Sequence, residues 1–186
     1  MRFGVLFDAN VFYPAPLRDL LIQLATSGIF KAWWTEQIHD EWIRNLLINR
    51  PEIPADKLRH VAELMNRAVP DCLVTDYESL IPYLVLPDPD DRHVLAAAIK
   101  SHTQVIVTNN LKDFPAQSLN PFDIRVQSPD AFLLHQFDLH RGAVIASLGH
   151  CRSRLKNPAR TVEEYLETLE SLGLNRFVAA VQEFGA

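Results

Sequence analysis

A chain of 186 residues, 48% of them hydrophobic, suits one packed domain with an appendage or two small domains, and excludes a disordered chain. The formal charge of −5 excludes a generally basic surface, so any nucleic-acid function must rest on local chemistry. The first residues lack the apolar run of a signal peptide, no segment approaches the roughly 20 apolar residues of a membrane span, and Cys72 and Cys151 have no metal-ligand or redox spacing. We therefore expect a cytoplasmic protein that does not engage membranes.

Short apolar runs alternate with helical patterns through the first two thirds of the chain. The predicted strands are residues 2–7, 30–34, 72–75, 105–108 and 124–126. The predicted helices between them are residues 17–27, 36–49, 55–68 and 92–102. This alternation predicts an α/β fold with a parallel β-sheet flanked by helices, in which functional groups gather beyond the carboxyl ends of the strands.

After residue 129 the pattern is helical only. The predicted helices there are residues 130–136, 141–154, 162–171 and 175–184. Thr161 with Glu164 forms a sequence pattern typical of a capping box, and Gly173 is a natural helix stop. We therefore predict a first domain at residues 1–134 and a C-terminal all-α extension at residues 135–186, which we expect to serve partner binding, oligomerisation or RNA contact.

Asp8 ends the first predicted strand, and its side chain should project from the sheet edge toward solvent or a ligand. The alternative role is an N-cap of the helix that follows. Glu41 borders the apolar row of Ile38 and Trp42 on a predicted helix, where a carboxylate needs a partner. Its alternative role is an exposed glutamate paired with Arg44.

Three acids, Asp88, Asp90 and Asp91, lead into an apolar helix. Acids at a helix start are favoured by the helix dipole, so one or two of them need no catalytic purpose, and we assign that structural role to Asp88 or Asp90. Asp91 precedes Val94 and Leu95 by three and four positions, which places it on the inward face. It is therefore the better functional candidate.

The predicted strand at residues 105–108 ends in Thr108, and the segment that follows adds two amides and a carboxylate to this hydroxyl, from Asn109, Asn110 and Asp113. Asparagines in this position are also ordinary turn residues. Together with the three acids above, however, these groups form a pattern that is far more specific than any of its parts.

The pattern as a whole resembles the PIN-domain nucleases, and within them the VapC-type toxins of toxin–antitoxin pairs. The resemblance covers about residues 3–130 and is carried by the segments at residues 7–11, 88–98 and 108–114. It implies a parallel-sheet nuclease fold, Mg²⁺ or Mn²⁺ as cofactor, cleavage of RNA, and homodimers inhibited by a small antitoxin protein.

The resemblance also assigns site residues. Asp8, Glu41 and Asp91 correspond to catalytic, metal-binding acids, while Asn10 and Thr108 take supporting roles. Many relatives have an acid where this chain has Asn110. Here either the Asn110 amide supports the site or Asp113 supplies the fourth catalytic and metal-binding carboxylate.

Carboxylates gathered in this way repel one another and raise their own pKa values unless a cation neutralises them. Oxygen ligands with open positions suit Mg²⁺ or Mn²⁺. The seven histidines form no close ligand pair, so zinc is not expected and we interpret them as surface or packing residues. The candidates for contact with RNA phosphates are Arg44, Arg50, Arg92, Arg152, Arg154 and Lys156. The alternative for each is solvated surface charge, which is the usual role of an isolated cation on a helix.

Two other functions remain open from the residues alone. In a phosphatase like the haloacid dehalogenases, Asp8 would be the nucleophile, but Asn10 stands where the proton-handling acid is expected. The second alternative is a non-catalytic scaffold that binds RNA or protein. Asn110 favours this alternative, because it stands where many relatives have an acid.

Overall fold

The computed structural model describes residues 3–185 and contains a four-stranded parallel sheet with the spatial order β2–β1–β3–β4. The strands are β1 Gly4–Phe7, β2 Lys31–Trp33, β3 Val105–Val107 and β4 Arg125–Gln127. Val5 of β1 lies opposite Ala32 of β2 on one side and Val105 of β3 on the other, and all the strand pairs are parallel. All four carboxyl ends therefore lie at one edge of the sheet.

The central strands are apolar because both of their faces are covered. Every residue of β1 and β3 is buried, and Leu6 and Ile106 are completely inaccessible. Such continuous apolar runs are the expected signature of a parallel strand inside an α/β layer arrangement. The α/β parallel-sheet prediction is confirmed.

The helices, in chain order, are α1 Ala9–Phe12, α2 Ala15–Thr26, α3 Glu36–Asn49, α4 Ala55–Ala68, α5 Arg92–Lys100, α6 Ala116–Leu119, α7 Pro129–Arg154, α8 Val162–Ser171 and α9 Asn175–Phe184. Four of them, α3, α4, α8 and α9, have the predicted ends. The predicted break between residues 136 and 141 is a kink in α7 at His140, whose φ of −137° and ψ of 44° are not helical. The Thr161–Glu164 capping box is also present at the start of α8.

The predicted strand at residues 72–75 is wrong. In its place a single parallel bridge joins Leu73 to Trp34, with Trp34 N donating to Cys72 O at 3.0 Å and Val74 N donating to Trp34 O at 2.9 Å. Asp76 then has a left-handed φ of 59°, which turns the chain away before a strand can form. The apolar run therefore extends the pairing beyond the end of β2 by one residue.

The chain divides into two compact units. One consists of the residues up to Tyr13 together with Phe30–Ser128, and the other of Pro14–Ile29 together with the residues from Pro129 on. This division differs from the predicted boundary after residue 134, which falls inside α7. It also places α2 with the C-terminal helices, where α2 packs against α7 and α8.

The α2 helix owes its place to an apolar face. Leu17, Leu20, Leu21 and Leu24 repeat at helical spacing and are almost completely buried. The second unit also holds Asp130, whose Oδ1 accepts a hydrogen bond from Phe177 N at 2.9 Å at the start of α9. Across the described part of the chain, no helix combines the length and apolarity needed to cross a bilayer.

Because α2 precedes most of the sheet in sequence but packs with the C-terminal helices, we predict that a chain cut off after Ser128 aggregates. It would keep four leucines of α2 without their partners, at a cost of about 1.5–3 kcal/mol for each side chain left exposed. Size-exclusion chromatography and thermal melting would measure this. The matched control is the full chain nicked between Ser128 and Pro129, which should stay soluble. A monomeric 1–128 chain that melts at the temperature of the intact protein would contradict this account of α2.

Candidate active site

Asp8 lies at the carboxyl end of β1 and is only 4% exposed. Its backbone N donates to Val107 O at 3.1 Å, so the residue is still part of the sheet. Its Oδ1 accepts a hydrogen bond from Ala9 N at 2.7 Å, which makes Asp8 the N-cap of α1. The capping role considered for this residue is therefore real, and it involves one carboxylate oxygen.

The other oxygen belongs to a cluster of three side chains, which we call the Asp8 cluster: Asp8, Asn10 and Thr108. Asp8 Oδ2 accepts hydrogen bonds from Asn10 Nδ2 and Thr108 Oγ1, each at 2.7 Å. Thr108 Oγ1 in turn accepts from Asn10 Nδ2 at 2.8 Å. These bonds join the ends of β1 and β3 and fix the orientation of the Asp8 carboxylate.

Two backbone groups of the following loop complete the Asp8 cluster. Asn109 N donates to Asn10 Oδ1 at 2.9 Å, and Asn110 N donates to Thr108 Oγ1 at 3.0 Å. Both asparagines of the loop are exposed. Asn110 therefore supports the site through its backbone, whereas its amide side chain has no described role in the cluster.

Glu41 lies on α3 and faces His93 on α5. The distance from Glu41 Oε1 to His93 Nε2 is 2.8 Å, and the side chains are 22% and 3% exposed respectively. Glu41 thus pairs with His93, while Arg44, the partner considered from sequence, is exposed. The interpretation of the histidines as surface or packing residues missed this contact. The sequence offered one hint of it, because His93 lies only two residues after the candidate acid Asp91.

Asp91 ends a 3₁₀ turn, Pro89–Asp91, and is half-buried at the start of α5. The turn is stabilised by Asp88, whose Oδ1 accepts a hydrogen bond from Asp90 N at 2.9 Å. Arg92 Nε donates to Pro89 O at 2.9 Å from the other side. Asp88 therefore has the structural role expected of one of the three acids, and Asp91 is the acid that the turn presents.

Asp113 is half-buried at the end of a second 3₁₀ turn, Leu111–Asp113. Its backbone N donates to Asn110 O at 3.0 Å, which closes the loop that follows β3. This loop returns Asp113 toward the other acids closely enough for its charge to act on Asp91.

The electrostatics show that these carboxylates act on one another. Burial raises the pKa of Asp8, and the charge of Glu41 raises it further, against the hydrogen bonds from Thr108 and Ala9. For Asp91, burial is again the largest cause, and the charges of Asp8, Asp88 and Asp113 add to it, so that the pKa rises to about 7. The nearby His93 lowers both values by a smaller amount.

The four acids are therefore close enough to interact, but they are not a closed cage. Within residues 3–185, no three His, Cys, Asp or Glu side chains are arranged as ready ligands of one metal ion. Mg²⁺ and Mn²⁺ do not need such a cage, because they keep several waters and bind through one or two carboxylates together with substrate oxygens. An all-oxygen donor set with a raised carboxylate pKa fits a divalent cation of this kind.

The candidate basic residues have varied surroundings. Arg50 forms an ion pair with Glu52, and Arg92 is used by the turn that carries Asp91. In the second unit, Arg154 Nη2 donates to Gln23 Oε1 at 2.9 Å and Arg152 Nη1 donates to Arg160 O at 2.9 Å. Arg44 and Lys156 are exposed. These contacts leave the RNA-binding assignments as predictions.

Comparison with known proteins covers both parts of the chain. The family model described as PIN domain matches residues 4–112, more than half of the chain. The family model described as VapC50 C-terminal domain matches residues 129–183. This match begins at Pro129, the first residue of α7. No solved structure matches the chain.

One curated relative is a Mycobacterium tuberculosis protein named "Putative ribonuclease VapC50", which is 43% identical over 79 residues. The match covers 42% of this chain and 47% of that protein, so the chain spans about half the length of the curated relative it matches. The parallel sheet, the acids beyond its carboxyl ends and the extent of the PIN-domain match lead to one conclusion: this chain belongs to the PIN-domain family.

Proposed function

We propose that this protein is a metal-dependent endoribonuclease that hydrolyses RNA phosphodiester bonds and acts in the cytoplasm as the toxin of a toxin–antitoxin pair. The observation that carries the proposal is the group of interacting carboxylates at the carboxyl edge of a PIN-domain sheet, where burial and repulsion raise the pKa of Asp91 to about 7. The relative that is named as a ribonuclease supports the same substrate class.

In this proposal Asp8, Glu41, Asp91 and Asp113 hold Mg²⁺ or Mn²⁺. When bound, such an ion lowers the pKa of water, polarises the scissile phosphate and stabilises its developing charge. Asp8 Oδ2 already accepts two hydrogen bonds and Oδ1 accepts one, so Oδ1 keeps a lone pair for a further partner. The Asp8 cluster holds this oxygen in place before substrate arrives.

Asp91 has a different task. With a pKa of about 7 it is partly protonated at neutral pH, and it becomes fully ionised when a cation relieves the repulsion of its neighbours. Asn10 and Thr108 do not titrate near neutral pH; they orient Asp8 by hydrogen bonding.

The other functions are less well supported. An amide at Asn10 cannot carry the proton of a phosphatase acid, and its nitrogen already donates to Asp8 and Thr108. The scaffold alternative rests on Asn110, but Asp113 brings a carboxylate charge into the same loop and acts on Asp91. Four interacting acids favour catalysis over a weakened site.

The partners follow from the same proposal: an RNA substrate, a small antitoxin protein, and a second copy of the chain in a homodimer. RNA phosphates require basic contacts beside an acidic site. We retain Arg44, Arg50, Arg92, Arg152, Arg154 and Lys156 as the candidates for those contacts. We also retain partner binding, oligomerisation or RNA contact as the role of the C-terminal helices.

We predict that RNA cleavage requires Mg²⁺ or Mn²⁺ and falls by at least about 100-fold, or about 2.7 kcal/mol, in Asp8→Asn, Glu41→Gln and Asp91→Asn. Each substitution removes a negative ligand while it keeps the side-chain shape. Single-turnover cleavage of an RNA pool with excess Mn²⁺ measures the effect, and circular dichroism checks the fold. The matched control is Asp90→Asn, an exposed neighbour that should retain activity. Full cleavage in excess chelator would rule out the metal.

We further predict that Asp113 contributes more than Asn110, because an ionised carboxylate gains far more from a divalent cation than an amide does. Asp113→Asn should reduce cleavage at least about tenfold, or roughly 1.4 kcal/mol, and weaken Mn²⁺ binding. Asn110→Ala should cost less, because its backbone N–H supplies the bond to Thr108. Parallel cleavage rates and Mn²⁺ titrations compare the two variants. An active Asp113→Asn beside an inactive Asn110→Ala would reverse the assignment.

A further inference from the structure

His93 is a buried polar side chain beside the acids that no sequence argument assigned to the site. It lies on α5, two residues after Asp91, and its Nε2 is 2.8 Å from Glu41 Oε1 on α3. Its ring is 3% exposed, whereas the Glu41 side chain is 22% exposed and so reaches solvent with part of its carboxyl group. The contact joins the two helices that carry Glu41 and Asp91.

The ring nitrogens of His93 have no other role among the described residues. Both are buried, and neither meets hydrogen-bond geometry with a protein group; the approach to Glu41 is short but poorly aligned. Burying a polar nitrogen without a partner costs free energy, so a small rotation of either side chain toward alignment is favourable. Glu41 is the acceptor within reach.

The other fully buried histidine shows what a structural role looks like in this protein. His39 lies on the same helix as Glu41, and its Nε2 contacts Asn66 Oδ1 at 2.9 Å. Its Nδ1 accepts a hydrogen bond from Trp42 Nε1 at 3.0 Å. Both nitrogens of His39 are satisfied by neutral neighbours, whereas His93 directs a nitrogen at a carboxylate of the site.

We propose that His93 is a positioning residue whose Nε2–H holds the Glu41 carboxylate in the orientation in which it binds a divalent cation. The inference rests on the proposed function. A glutamate has three rotatable side-chain bonds, and a donor that fixes it removes much of the entropy cost of ordering it at a metal. Groups that orient metal-binding carboxylates typically change metal affinity by 10–100-fold when they are removed.

The test is Mn²⁺ affinity, measured by isothermal titration calorimetry on the full chain. His93→Phe and His93→Leu remove the donor, and each should weaken Mn²⁺ binding about 10–100-fold. His93→Gln keeps an N–H donor and should restore affinity to within about threefold of the parent. His39→Phe is the matched control: it should lower the melting temperature and leave Mn²⁺ affinity unchanged.

A second comparison tests whether His93 acts through Glu41. In a Glu41→Gln background, His93→Phe should weaken Mn²⁺ binding no further, because the carboxylate that it positions is gone. Full additivity would show instead that His93 acts independently of Glu41, and would overturn the inference. Unchanged affinity in His93→Phe or His93→Leu would also overturn it, as would a His93→Gln variant as weak as these two. A parent protein that binds Mn²⁺ but cleaves no RNA would refute the proposed function alone, and absence of saturable Mn²⁺ binding would refute both.

Discussion

Repulsion between buried carboxylates is the constraint on which the site of this protein depends. Asp8 is almost completely buried, and Asp91 is half-buried within reach of the charges of Asp8, Asp88 and Asp113. Burial and like charge both disfavour the ionised form, and the pKa of Asp91 rises to about 7 as a result. An arrangement of this kind weakens the folded chain unless something positive occupies it, and this is the physical basis of the proposed cation site.

The fold keeps the acids together despite this repulsion. Because β1 and β3 are neighbours in the sheet, Asp8 and Thr108 lie side by side, and the hydrogen bonds of the Asp8 cluster hold them together. Glu41 and Asp91 are carried by α3 and by the start of α5, and the His93 contact joins these helices. Each acid is thus held by an independent element, which is how a site of like charges can be preorganised.

The sequence was informative where local pattern decides structure. Apolar runs and helical periodicity predicted the parallel sheet and several helix ends, because a buried strand and an amphipathic helix have different periods. The same patterns placed Asp8 after one predicted strand and Thr108 at the end of another, whereas the structure shows that these strands are neighbours. Spacing alone could not show that Asp8 both caps α1 and faces the site, since the two carboxylate oxygens are used separately.

What the sequence could not show depends on contacts between distant residues. The partner of Glu41 is His93, 52 positions along the chain, and sequence reasoning considered only the helical neighbour Arg44. The α2 helix looks in sequence like part of the α/β domain, yet its apolar face packs against α7. The apolar run at residues 72–75 satisfied the strand pattern, but a left-handed Asp76 ends it after one bridge.

The most direct test of the acidic site as a cation site is the number of protons released when Mn²⁺ binds, obtained by calorimetry in buffers of different ionisation enthalpy. The pKa of Asp91, about 7 in the folded chain, exceeds its unfolded value of about 3.9. Its contribution to stability is therefore present below about pH 4 and lost as pH rises through 7, and a cation offsets that loss. Asp91 should release part of a proton per bound ion at pH 7, more at pH 6 and little at pH 8.5. Binding heats that do not depend on the buffer at pH 6 and 7, or an absence of saturable binding, would contradict it.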